Sequence, residues 1–134
     1  MTQEDKDLLL KDLCARLPYG VKINIKSDYT REMEDTELTP YHLDGLGYDA
    51  EYRNLRPYLR PLNKIGRFEW LDLAEMGFAY DANTKLLKQL PFMDFNIDDV
   101  QYFIEFFNKH HIDYNNFIEK GLAIEAPEGM YNIK

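Results

Sequence analysis

Residues 21–26 alternate strictly: Val21, Ile23 and Ile25 are apolar and β-branched, while Lys22, Asn24 and Lys26 are polar. Period two with β-branched side chains on one face specifies a half-buried strand, and it requires an apolar cover for that face. The cover lies immediately upstream. Over residues 2–17, Leu9, Leu10, Leu13, Cys14 and Leu17 recur at three- and four-residue spacings, which predicts an amphipathic helix. Thr2 is placed to cap it, Glu4, Asp5 and Asp7 favour its positive end, and Arg16 suits its negative end. Pro18-Tyr19-Gly20 then stops the helix and turns the chain into the strand. A helix with an apolar stripe facing a core, followed by a half-buried strand, is the first expectation.

The polar run 27–37 reads as a connection, and residues 38–43 as a second strand, with Pro40 tolerable near an edge or a bulge. Asp44-Gly45 and Gly47 suggest a turn. Residues 52–59 read as a third strand that runs into the repeated pattern RPYLRP. Basic residues at 53, 56, 60, 64 and 67 have helical spacing, but Pro57 and Pro61 oppose a helix, since each interior proline costs about 3 kcal/mol. As an extended segment, Arg56, Tyr58, Arg60, Leu62 and Lys64 share one face, and Leu55 and Leu59 the other.

Residues 67–80 are ambiguous. Phe68, Leu71, Ala74 and Glu75 form a partial helical stripe with Gly77 as a stop, whereas Trp70, Phe78 and Tyr80 favour strand. Residues 84–90 suggest a helical turn before Pro91. From Asp98, Val100, Phe103, Ile104, Phe107 and His111 predict a helix, with Asn96 or Asp98 as cap and with Tyr102 and Phe106 widening its apolar face. A short helix at 115–120, stopped by Gly121, and a brief strand in the tail complete the reading. The pattern is α+β: an N-terminal helix, a small antiparallel sheet of two to three strands, and a mostly helical C-terminal half, in a single domain spanning 1–134.

The net charge is −8, and it is unevenly spread: residues 1–67 carry −1 and residues 68–134 carry −7. Between Glu51 and Glu69 no acidic residue occurs, while Arg53, Arg56, Arg60, Lys64 and Arg67 lie in that interval. Such a block attracts an anion, a nucleic-acid backbone or the chain's own acidic half; the last is favoured, because nucleic-acid binders are usually basic overall. The single cysteine, Cys14, excludes an internal disulfide and makes a reducing, cytoplasmic setting the default; its position in the helical stripe reads as a small core residue. No apolar run approaches the roughly 18–20 residues of a membrane helix, and the acidic start MTQEDKD is unlike a secretory signal.

Three stretches, MTQEDKDLLLKDLCARLPYGVK (1–22), LRPYLRPL (55–62) and IDYNNFIEKGLAIEAPEGMY (112–131), resemble a group of small uncharacterised proteins of Bacteroidales-type gut bacteria, often found among phage and mobile-element genes. The resemblance covers both ends and one central segment. It implies an intracellular bacterial or phage setting and a single small domain, and it carries no activity and no site residue with it.

Candidate chemistry is sparse. His110 and His111 are adjacent, so on a helix they point about 100° apart and do not readily share an ion; His111 reads as part of the apolar stripe and His110 as a favourable charge at the helix end. His42 with Asp44 has strand spacing and could form an acid–base pair or a surface hydrogen bond. Asp94, Asp98, Asp99, Glu105 and Asp113 supply carboxylates without a pattern. No phosphate loop, nucleophile elbow, paired-cysteine motif or calcium loop is present in the sequence, so no catalytic, metal or cofactor residue is assigned.

Aromatic residues are the real surplus, with 10 Tyr, 8 Phe and 1 Trp. Most Phe and Trp70 suit the core, whereas some of Tyr29, Tyr41, Tyr48, Tyr52 and Tyr58 should be exposed. Tyr and Arg are favoured at protein interfaces, and Tyr52, Arg53, Arg56, Tyr58 and Arg60 form their densest mixture here. The competing reading of that segment is an edge strand guarded by charge and proline. The leading functional expectation is a non-enzymatic module that binds a protein partner or a second copy of itself, as a homodimer. An acidic mimic of nucleic acid and a small hydrolase using carboxylates with His42 or His111 are the alternatives; direct nucleic-acid binding and membrane association are disfavoured.

Overall fold

The structure is a computed structural model that describes residues 2–27, 30–43, 54–75, 78–81, 86–89 and 97–131, with the backbone alone at 78–81, 86–89 and 97–100. The expected turn at 44–47, the residues Tyr29, Tyr48, Tyr52, Arg53 and Asp94, and the expected stop at Gly77 lie outside the described residues.

Helix α1 (Gln3–Arg16) starts as its sequence requires: Thr2 Oγ1 accepts from the Asp5 N–H at 3.0 Å, and the Thr2 N–H reaches back to the Asp5 carboxylate. Its buried positions are Leu9, Asp12, Leu13 and Arg16. That stripe is narrower than the leucine pattern suggests, because two of its four members are an ion pair, and it leaves Leu10 exposed. Cys14 falls beside the stripe and is exposed, which corrects its expected place in the core. A 3₁₀ turn at Leu17–Tyr19 ends at Gly20, whose φ of 71° is left-handed and whose absent Cβ leaves room for Glu37 Oε1, 2.9 Å from where that atom would sit.

Strand β1 (Lys22–Lys26) buries Ile23 and Ile25 completely, in the expected alternation. The expected connection at 27–37 contains a further strand, β2 (Met33–Glu37), antiparallel to β1 with Lys22 opposite Glu37 and Lys26 opposite Met33. β2 shows no apolar alternation because it is a sheet edge with both faces wet, and its carboxylates blunt that edge. The second strand expected at 38–43 is instead the short helix α2 (Pro40–Leu43). Thr39 precedes it and shares its hydroxyl and N–H with His42 Nδ1, and proline is welcome at a first helical position.

Strand β3 (Arg56–Leu59) lies between β1, which it meets antiparallel, and β6 (Ile124–Glu125), which it meets parallel, in the order β2-β1-β3-β6. The sheet therefore has four strands and is mixed, not two to three and antiparallel. β3 is interior despite Pro57, which pairs with Ile23 and is fully buried; the ladder to β1 is only two residues long, so one absent N–H is absorbed. Leu55 and Leu59 share a face, as expected, and that face is the α1 side of the sheet, in a core with Leu9, Leu13, Val21, Ile23, Ile25 and Phe117.

A second core joins Leu62, Ile65, Leu73, Phe103, Phe107 and Ile112. It is framed by α3 (Arg67–Glu75) and α4 (Ile97–Lys109). Between them β4 (Phe78–Asp81) and β5 (Leu86–Gln89) pair antiparallel, replacing the helical turn expected at 84–90; a single turn has too little hydrogen bonding to hold itself, whereas a hairpin partner supplies a ladder. Residues 115–120 form turns, not a helix, because Asp113 draws the Phe117 and Ile118 N–H groups onto its carboxylate while Asn116 is left-handed. Among its described residues the second half thus mixes strands and turns with its helices, and it is not clearly mostly helical. Among the described residues no helix is long and apolar enough to cross a membrane.

Candidate functional site

The Tyr/Arg segment does not form a free docking ribbon. Tyr58 is 8% exposed, and its hydroxyl donates to Asp35 Oδ1 at 2.6 Å. This corrects the expectation that its ring is offered to solvent. Arg60 forks onto both oxygens of Glu69 and also donates to the His110 carbonyl at 3.0 Å. Arg56 is half-buried on the same face; Tyr52 and Arg53 lie outside the described residues. Tyr58 and Arg60 thus join elements of the fold, whereas Arg56 Nε is buried without a hydrogen-bond partner among the described residues.

Glu69 is the hub of one such junction. Its carboxylate accepts two guanidinium N–H groups of Arg60, the Gly66 N–H at 2.9 Å and His110 Nδ1 at 2.8 Å. Burial pushes this carboxyl up, but the hydrogen bonds from Arg60, His110 and Gly66 win and hold it down at about 2. An ionised carboxylate only accepts, so Nδ1 of His110 carries the hydrogen and the ring's exchange with anything else runs through Nε2. The ring also stacks on Phe106, with centroids 4.3 Å apart.

His111 follows a different rule. It closes α4 in a left-handed conformation (φ 59°), with its N–H on the Asn108 carbonyl and the Ile112 N–H on the Phe107 carbonyl. Its ring is buried and stacked 3.8 Å from Tyr131. Burial, followed by Arg16 and Arg60, pushes its pKa down to about 4, so it is a neutral ring at pH 7. Tyr131 in turn accepts from the Lys22 N–H and donates to the Tyr58 carbonyl, tying the C-terminal segment across β1 and β3. His42 is occupied with Thr39. Among the described residues neither His42 nor His111 lines any of the four main cavities, and no three His, Cys, Asp or Glu side chains are placed to hold a metal ion.

An open groove of about 690 Å³ lies between α3 and α4, with Tyr19 at its side. Asp72 and Glu75 line it from α3; Tyr102, Glu105 and Lys109 line it from α4, with His110 beyond. An adjoining shallower cleft of about 430 Å³ shares Tyr19 and Glu105 and adds Pro18 and Ile104. The helix α3 is turned opposite to the stripe read from its sequence. Glu69 and Leu73 are buried, whereas Phe68 is 81% and Leu71 51% exposed. On a helix, positions 68, 71, 72 and 75 share one face, so these apolar side chains stand beside the groove's acidic wall. Tyr102 of α4 is 60% exposed, although its aromatic ring was expected under cover. Sequence reading missed the groove because the residues that orient α3 are distant: Arg60 and His110 hold Glu69 inward, and this turns Phe68 outward.

Comparison with family models, with curated proteins and with solved structures returned no match.

Proposed function

We propose that this chain is a non-enzymatic protein-interaction module, a bacterial or phage accessory protein in keeping with the resemblance of its ends, and that it docks through the α3–α4 groove. The observation that carries this reading is the exposure of Tyr102 in the groove together with that of Phe68 and Leu71 on the face of α3 that also carries the groove residues Asp72 and Glu75. Single exposed apolar side chains are ordinary, but aromatic and leucine side chains gathered at a groove form the type of surface that other proteins cover. The module reading therefore moves from the Tyr/Arg strand, where Tyr58 and Arg60 already have partners within the fold, to the helical face.

The test compares partners retained by the intact chain, by a Phe68→Ala/Tyr102→Ala double variant and by Tyr41→Ala, which removes an equally exposed ring elsewhere, at 68% exposure. The expected result is a partner kept by Tyr41→Ala and lost by the double variant, with unchanged circular dichroism throughout. A partner held equally by all three proteins would remove the groove from its binding.

A further inference from the structure

We infer that the occupant of the α3–α4 groove is a cationic amphipathic helix, a lysine- or arginine-bearing segment of another protein; this rests on the groove being the docking surface. The groove offers hydrogen-bond acceptors. Three carboxylates, Asp72, Glu75 and Glu105, face it, against the one ammonium of Lys109. Among the described residues Glu105 accepts one bond, from Gln101 at 3.3 Å, which leaves acceptor capacity on its carboxylate. The adjoining cleft is lined by Asn108, a side chain only 2% exposed whose Oδ1 has no hydrogen-bond partner among the described residues. A buried acceptor without a donor is costly, so an occupant gains most if it brings N–H groups.

Beside these acceptors stand apolar side chains: Tyr19, Tyr102 and Phe106 in the groove, Pro18 and Ile104 in the adjoining cleft, and exposed Phe68 and Leu71 on the outer face of α3. Apolar side chains next to carboxylates match a helix that carries leucine-like residues on one face and cations along its flanks. The nine-residue α3 and the thirteen-residue α4 set the scale, and about three turns of a partner would span the shared wall. A second copy of this chain is the poorer occupant. Pairing groove to groove sets Asp72, Glu75 and Glu105 against their own equivalents in a protein already at −8, and like charges opposed across an interface disfavour association.

The test uses two labelled synthetic helices with the same leucine pattern, one carrying lysine and one glutamate on the polar flanks, read by fluorescence anisotropy. The lysine helix should bind the intact chain, and raising salt should weaken it. The variant Asp72→Lys/Glu75→Lys/Glu105→Lys should bind it at least about tenfold more weakly. A second variant, Glu32→Lys/Glu34→Lys/Glu128→Lys, changes the net charge by the same amount at exposed sites away from the groove and should retain most of the affinity. Equal losses in both variants overturn the inference in favour of attraction to net charge. Equal binding of both helices also overturns it but leaves the groove as a docking surface. Failure of the lysine helix to bind overturns it while the partner-retention result stands or falls by itself. A concentration-dependent dimer, abolished by Phe68→Ala/Tyr102→Ala, assigns the groove to a second copy instead.

Discussion

Glu69 and His110, 41 residues apart in the chain, are joined by a 2.8 Å hydrogen bond in which the imidazole Nδ1–H donates to a carboxylate that also holds Arg60 and the start of α3. This one contact links α3, the end of α4 and the residue following β3. Everything said about the groove depends on it, because it fixes which face of α3 looks inward.

Glu69→Gln should therefore destabilise the fold well beyond a surface substitution. It removes the charge that the Arg60 guanidinium faces at 18% side-chain exposure, and breaking a buried pair on one side costs on the order of 3–5 kcal/mol. Urea unfolding measures it. The sign with pH follows from the depressed carboxyl: with a folded value near 2 against an ordinary 4.5, its stabilisation is complete above about pH 4.5 and disappears as pH falls towards 2. In Glu69→Gln that portion of the acid-side slope should be absent.

His111 gives a second, separate window. Its folded value near 4 lies below the ordinary 6.5, so the unfolded chain binds the proton first and stability falls as pH drops from about 6.5 through 4. The groups responsible are its burial and the cations Arg16, Arg60 and Lys22 with His110. The difference amounts to about 3 kcal/mol. His111→Asn tests this, since asparagine accepts the left-handed backbone and does not titrate. Thermal unfolding between pH 4 and 6.5 should be flatter for the variant than for the original, even though loss of the Tyr131 stack lowers stability at every pH.

The ion pair of Asp12 and Arg16 predicts a non-additive pair of substitutions. Arg16 is fully buried, with Nε 2.8 Å from Asp12 and Nη2 2.7 Å from the Ile112 carbonyl. Burial raises the Asp12 carboxyl while Arg16 opposes that rise, so without the arginine the aspartate is left charged and unpaired or must take up a proton. Arg16→Met alone should cost about 3–5 kcal/mol, and Asp12→Leu/Arg16→Met should recover a large share of it. Chemical denaturation of the two singles and the double forms the required cycle; additive losses would mean that the pair does not act as a unit.

What the sequence discloses and what it hides divide along local and distant causes. The start of α1, the alternation of β1, the shared face of Leu55 and Leu59 and the helix around Phe103 and Phe107 are written within a few residues each, as caps and periods, and all appear in the structure, whereas the extended face expected to run on through Leu62 and Lys64 breaks into a 3₁₀ turn at Leu62–Lys64. β2 is hidden because an edge strand with no buried face has no period to show. β4 and β5 are hidden because each is four residues long and is defined by the other. Cys14 is misplaced because the buried side of α1 is chosen by the Asp12–Arg16 pair, which reaches Ile112 across 96 residues. The groove is hidden for the same reason: local spacing establishes that α3 has a stripe, and partners elsewhere in the chain decide which way it faces.

That choice of face can be measured directly on α3. If Phe68 faced the core, Phe68→Ser would leave a large cavity and cost several kcal/mol; at 81% exposure it should change stability by less than about 0.5 kcal/mol. Leu73 is fully buried in the second core, so Leu73→Ala should cost about 2–5 kcal/mol. The two substitutions lie five residues apart on one short helix and share the same local propensities, so unfolding free energies that differ in this order report orientation alone. Similar losses at both positions would mean that Phe68 is covered, and the apolar surface beside the groove would then be lost.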